Sequence, residues 1–232
     1  MRADEGIILV DKPLGWSSQK TVTRIKRQLG LAKAGHAGTL DPLATGLLII
    51  LADAATKRFA EFQQLKKEYV AEIELGRETD TGDAGGRVIR IYGGKIGWEE
   101  REIADEVKKL VGEQWQVPPV YSAVKVAGMT AYKRTLRGEK VELKPRKITV
   151  YEAEVLGTDT EKKLVKVRFV VSSGTYIRSL ATELGKRRGC GAMVASLRRT
   201  QIGKWRVEEA EKIEDSDRRE SGGGTGISGR DG

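Results

Sequence analysis

His36 and Asp41 are the residues of this chain best suited to chemistry, and they share one stretch, Gly35-His36-Ala37-Gly38-Thr39-Leu40-Asp41-Pro42-Leu43-Ala44-Thr45-Gly46. His36 is the only histidine, and an imidazole titrates near neutrality, so it can carry a proton. A carboxylate can act as a nucleophile or as a general base. Pro42 fixes its own φ and biases Asp41 towards extended backbone, so the carboxylate rides on a stiff turn. The apolar run Leu47-Leu48-Ile49-Ile50-Leu51-Ala52 follows at once. It is short, partly β-branched and bounded by Gly46, the pattern of a buried strand. A polar loop feeding such a strand can hold a side chain still and leave it open to substrate. Asp-Pro and glycine-rich segments also simply turn the chain, so the residues alone leave both readings open.

The rest of the chain must position that loop. At 232 residues, with 32% charged and 39% hydrophobic residues, it can bury a sizeable core beneath a highly charged surface. A net charge of +9 makes a polyanion the first partner to consider. No apolar run approaches the roughly 20 residues that span a bilayer, and the charged start Met1-Arg2-Ala3-Asp4-Glu5 is no signal peptide. One cysteine, Cys190, excludes an internal disulfide and fits a reducing cytoplasm. One histidine and one cysteine cannot assemble the usual zinc sets. With no Walker A sequence and no nucleotide-binding glycine motif either, no metal or cofactor is expected.

Residues 6–10 read as a short buried strand. A helix capped by Ser17 or Ser18 follows, with Val22, Ile25 and Leu29 on one face, stopped by Gly30. A helix is expected over 54–65 with Phe59, Phe62 and Leu65 inward, then an alternating strand over 69–75 that starts with Tyr69. Asp80 and Asp83 flank Gly82 but lack the bidentate glutamate of a calcium loop, so 76–86 reads as a turn before a strand over 88–91. A helix over 98–111 turns Ile103, Val107, Leu110 and Val111 inward. Residues 126–147 are rich in lysine and arginine, and two strands follow over 148–156 and 164–171. Ser172, Ser173 and Gly174 then cap a helix with Ile177, Leu180 and Leu184 on its apolar face, leaving Tyr176 and Arg178 near its start and off that face. A last strand and short helix occupy 205–213. From Glu214 the chain becomes a serine-, glycine- and arginine-rich tail that reads as disordered.

The stretch from Gly35 to Gly46 resembles the catalytic loop of the TruB family of tRNA pseudouridine synthases, G-H-x-G-x-L-D-P-x-A-x-G. Other segments agree in order: Asp11-Lys12-Pro13-x-Gly15-x-Ser17-Ser18, Lys67-x-Tyr69, Thr79-Asp80-Thr81-x-Asp83, Ser173-Gly174-Thr175-Tyr176-Ile177-Arg178, and Leu197-Arg198-Arg199-Thr200. The resemblance spans residues 6–213, one catalytic domain expected over 1–213. It implies an α+β pseudouridine synthase fold: a mixed, mostly antiparallel central sheet flanked by helices, with the catalytic cleft along the sheet. It also implies that the basic insertion over about 126–147 is a mobile thumb that folds over an RNA stem-loop. Most bacterial members carry a further small RNA-binding module where this chain has its tail, 214–232, so the tail is the one departure.

By the same resemblance Asp41 is the nucleophile, Arg178 pairs with it, and Tyr69 is an active-site tyrosine. Substrate contacts fall to His36, Tyr176, Leu197, Lys12, Lys57, Arg137 and Arg146. Uridine becomes pseudouridine by breaking the N-glycosidic bond, rotating the base and rejoining it through carbon, which needs no cofactor. Burial alone would raise the pKa of Asp41, and a neighbouring cation would oppose that. His36 has two readings: its ring fills the gap left by a flipped base, or it moves a proton. The expected partner is the T-stem-loop of tRNA, met by a cytoplasmic monomer at position 55. The competing reading is an RNA-binding protein without turnover.

Overall fold

Alternating burial along the strands builds the frame. The computed structural model describes residues 5–97 and 99–213, so the tail lies outside the described residues. Strand β1 (Ile7–Lys12) buries Ile8, Val10 and Lys12. Helix α1 (Ser18–Gln28) starts at Ser17, whose Oγ accepts from the Lys20 N–H at 3.0 Å, and Val22 and Ile25 face inward. Strands β2 (Ala34–His36) and β3 (Ala44–Ala52) pair antiparallel, with His36 opposite Ile50, and enclose the Asp41 loop. A 3₁₀ turn, Asp53–Arg58, leads to the short α2 (Phe59–Gln63). Then come β4 (Lys67–Leu75), β5 (Arg77–Thr79), β6 (Val88–Ile91), α3 (Glu100–Lys108) and β7 (Gly112–Gln116). The basic insertion opens with β8 (Lys125–Val126), β9 (Met129–Thr130) and α4 (Ala131–Leu136). Strands β10 (Arg146–Asp159) and β11 (Leu164–Val171), helix α5 (Ile177–Arg187), and strands β12 (Ala192–Ile202), β13 (Trp205–Arg206) and β14 (Glu211–Lys212) complete the described chain.

The main sheet runs β14-β1-β3-β12-β4-β11-β10-β7, with β2 on β3 and β13 on β12. Its pairs are antiparallel except β1 with β14 and β3 with β12. It is the mixed, mostly antiparallel sheet expected. Strands β4 and β11 bury Tyr69, Ala71, Ile73 and Val167, Phe169 against Leu180 and Leu184 of α5 and Ile103 and Val107 of α3. The other half of the sheet is covered on both faces. Leu48 and Ile50 pack with Val22 and Ile25 of α1, while Leu47 and Ile49 pack with Phe62 and Ile202. Burying one such aliphatic side chain stabilises the fold by about 1.5–3 kcal/mol.

Four local expectations need correction. The helix over 54–65 is a 3₁₀ turn followed by five helical residues, and Phe59 is exposed. The helix over 98–111 is shorter, and Val111, beyond its C-cap, is exposed; Trp98 lies outside the described residues. Leu29 occupies the C-cap of α1 and is partly exposed. The cap of α5 is Tyr176, without a side-chain hydrogen bond from the serines before it. Strands β2, β5, β7, β8, β9 and β12 have no counterpart in the sequence reading, and β5 lies inside the segment read as a turn over 76–86.

Candidate active site

Asp41 sits in a loop fixed from below by β1 and α1. The Gly15 N–H donates to the Pro42 carbonyl at 2.9 Å. Ser18 Oγ donates to the Leu40 carbonyl at 3.0 Å and accepts from the Leu40 N–H at 2.8 Å. Lys12 Nζ donates to the carbonyls of Trp16 at 2.6 Å, Pro13 at 2.9 Å and Pro42 at 3.5 Å. Lys12 is fully buried and absent from the lining of the cavity that opens over Asp41, so it does not face RNA as expected. Its ammonium holds the loop instead. Gly46 ends the loop at φ +100°, and a Cβ there would lie 2.2 Å from the Arg199 carbonyl oxygen, so the parallel β3–β12 pairing requires glycine.

Helix α5 brings Arg178 to this loop. Arg178 Nη2 lies 2.9 Å from Asp41 Oδ2. The guanidinium also donates from Nη1 to the Thr81 carbonyl at 2.7 Å and from Nη2 to the Tyr121 carbonyl at 2.9 Å. Behind it, Asp83 Oδ2 is 3.6 Å from Arg178 Nε. Asp83 Oδ1 is itself held by Thr81 Oγ1 at 2.8 Å and the Gly85 N–H at 3.0 Å. One buried guanidinium thus stands between two carboxylates. Burial pushes the Asp41 carboxyl above its usual range; Arg178 opposes this, the Asp83 charge adds to it, and Lys12 offsets part. The start of α5 is fixed by Gln116 on β7, which accepts from the Tyr176 N–H at 2.8 Å and donates to the Tyr176 carbonyl at 3.1 Å.

A cavity of about 430 Å³ opens over Asp41, lined among others by His36, Tyr69, Arg146, Tyr176, Arg178 and Leu197. Lys57, on the 3₁₀ turn, and Arg137, at the end of α4, are both exposed and lie outside the lining. Tyr69 is buried on β4 with the Arg199 guanidinium 6.0 Å from its ring centre. The His36 imidazole is pushed below its usual pKa by burial and then by the Arg199 charge. Its Nδ1 is buried with no hydrogen-bond partner among the described residues. Sequence reasoning missed four residues here. The Thr-Asp-Thr-x-Asp segment was the available signal for Asp83, although it read as a turn. Lys67 and Arg199 stood inside motif segments, Lys67-x-Tyr69 and Leu197-Arg198-Arg199-Thr200, but nothing there marks them as buried, and Gln116 carried no signal.

Residues 26–177 match the model of the TruB family pseudouridylate synthase, N-terminal domain. The chain belongs to that family. It is 44% identical over 212 residues to the tRNA pseudouridine synthase B of Aquifex aeolicus, covering 91% of this chain and 73% of that protein. With the tRNA pseudouridine synthase B of Endomicrobium trichonymphae it shares 42% over 213 residues, covering 92% and 91%. Among solved structures, a chain of a Cbf5-Nop10-Gar1 complex superposes with a TM-score of 0.68 at 32% identity, over 90% of this chain and 52% of that one. The fold is accordingly that of a pseudouridine synthase, and the chain is an enzyme that isomerises uridine in tRNA. RNA is its partner, in keeping with the net charge of +9. Among the described residues no helix is long and apolar enough to cross a membrane.

Proposed function

We propose that the enzyme converts the uridine at position 55, in the T-loop of tRNA, and that Asp41 is the nucleophile. The observation that carries the proposal is the 2.9 Å contact of Arg178 with Asp41 at a cavity lined by Tyr69, Tyr176 and Leu197. A nucleophilic carboxylate must be ionised, and a buried guanidinium in contact with it favours the charged form against the burial that opposes it. The target nucleotide leaves its stack to reach Asp41, at a cost of a few kcal/mol. Asp41 bonds to the nucleotide and the N-glycosidic bond breaks. The base turns and joins the sugar through carbon, and the bond to Asp41 breaks again. The proton on that carbon passes to Asp41 or Tyr69, and the freed ring nitrogen takes up one proton. One proton is lost from carbon and one is gained at nitrogen, so the isomerisation balances without a cofactor. Burial and then the Arg199 charge push the His36 imidazole towards its neutral form, which supports a ring that occupies the vacated stack rather than an acid. The insertion from β8 to the start of β10 acts as the thumb over the stem-loop, with Arg137 on its exposed side. In this reading the enzyme works as a monomer in the cytoplasm beside its tRNA.

The test is a pseudouridine assay on an unmodified T-stem-loop RNA, with Asp41→Ala in parallel. The parent should modify the T-loop uridine, and Asp41→Ala should bind the RNA and form no product. Modification at another uridine only would overturn the T-loop assignment, and product from Asp41→Ala would overturn the nucleophile.

A further inference from the structure

Arg178 meets two carboxylates, but two other buried cations on the same cavity meet none. Lys67 and Arg199 are 7% and 1% exposed, and both line the cavity over Asp41. Among the described residues neither has a carboxylate within 4.0 Å. Their N–H groups go to backbone carbonyls: Lys67 Nζ to Leu65 at 2.8 Å and Gln63 at 3.2 Å, and Arg199 to Leu47 at 2.7 Å, Gly38 at 3.2 Å and Thr39 at 3.3 Å. An ammonium has three donors and a guanidinium five, so donors remain on both. The two cations converge on Gly38, three residues before Asp41. A Cβ built there would lie 3.8 Å from both Lys67 Cε and Arg199 Nη1, and the backbone has φ +133°. The loop is thus bare of side chain where the two charges meet.

Two like charges out of water without a counter-ion are costly. Burial and then the Arg199 charge bring the Lys67 pKa down to about 8. Such a pair is stable in place when a ligand supplies the missing negative charge. We infer that Lys67 and Arg199 form an anion seat for a backbone phosphate of the RNA, one of the two phosphates flanking the uridine that faces Asp41. A nucleotide cannot enter the cavity without carrying its own phosphates to the mouth, and phosphate suits paired ammonium and guanidinium donors. Seating it fixes the sugar relative to Asp41. The inference rests on the reading that the target uridine enters this cavity.

The test replaces one phosphate at a time by an uncharged methylphosphonate, at the linkage 5′ or 3′ of the target uridine or at a control linkage in the stem. Every RNA, including the unaltered reference, carries a matched 2′-deoxy sugar on the nucleotide 5′ of the linkage. Filter binding to the parent, Lys67→Met and Lys67→Arg gives the dissociation constants. One flanking substitution should weaken binding to the parent about tenfold beyond the control linkage. Lys67→Met should be insensitive to that same substitution within about twofold, and Lys67→Arg should regain sensitivity. Equal weakening of the parent and Lys67→Met, or no excess loss at either flanking linkage, overturns the seat. A loss of turnover in Lys67→Met with phosphate sensitivity intact also overturns it, since the cations would then act on the base. If Lys67→Met does not fold, the parent and Lys67→Arg decide alone through the RNA substitutions. Failure of the underlying reading is seen separately, as a parent that does not isomerise the unaltered, all-ribose T-stem-loop.

Discussion

At the scale of single residues, opposing charges set what each group at the cavity can do. Asp41 is lifted by burial and by Asp83 and lowered chiefly by Arg178 and then by Lys12, so its ionisation leans most on one guanidinium staying in contact. His36 shows the converse. Burial and the nearby Arg199 charge favour its neutral imidazole, and its buried Nδ1 has no partner among the described residues. A neutral ring in a cavity suits stacking in place of a flipped base better than donating a proton. His36→Phe should therefore reduce turnover on a T-stem-loop RNA by less than about tenfold, while Asp41→Asn abolishes it. Single-turnover rates compare the two, and an equal collapse in both would assign His36 to proton transfer. Asp41, His36, Tyr69, Tyr176 and Arg178 were legible because their motifs are dense in fixed positions. Lys12 was legible as a residue of such a motif, but its burial was not: nothing local distinguishes a lysine that ends a strand in solvent from one that turns under a loop.

At the scale of elements, the strands that alternate cleanly, β4 and β11, could be read almost residue by residue because one face of each is core. Strand β12 could not. It carries Arg198 and Arg199 in its interior, and Arg199 is buried only because carbonyls of the neighbouring loop and β3 receive it. Strand β7 is polar and lies at the sheet edge, where burial leaves little pattern. The Asp41 loop depends on β1 in the same non-local way, through Lys12. Burial lowers the pKa of Lys12 from the ordinary 10.5 to about 8, with Asp41 opposing and Arg199 adding. The folded state sheds this proton before the unfolded chain does. The cost of the buried charge is therefore fully present below about pH 8 and is relieved as pH rises towards 10.5. The stability of the parent minus that of Lys12→Met should climb over this window, with a slope of at most about 1.4 kcal/mol per pH unit. Urea unfolding of both proteins at several pH values measures it. Lys67 is present in both and cancels, and a difference that stays flat with pH would show that Lys12 keeps its ordinary pKa.

At the scale of the whole molecule, the excess positive charge is unevenly committed. Within the basic insertion and the start of β10, Arg134 is paired with Glu139, Lys140 with Glu142, and Lys147 with Glu113. Arg137 is exposed, meets no carboxylate among the described residues, and stands outside the cavity lining. An exposed cation of this kind contributes to RNA binding through release of counter-ions from phosphate, an effect that salt diminishes and that is blind to base identity. The slope of log affinity against log salt counts the phosphates neutralised, at about 0.7 per contact for a single strand and about 0.9 for a duplex. Arg137→Ala should thus lower the steepness of that slope by about one contact and weaken T-stem-loop binding most at low salt. The maximal single-turnover rate at saturating enzyme should change little, because Arg137 reaches no group in the cavity. Binding titrations at several salt concentrations read the slope directly. An unchanged slope would mean that the insertion does not grip phosphate through Arg137, whereas a fall in the maximal rate would mean that the thumb also helps to place the uridine against Asp41.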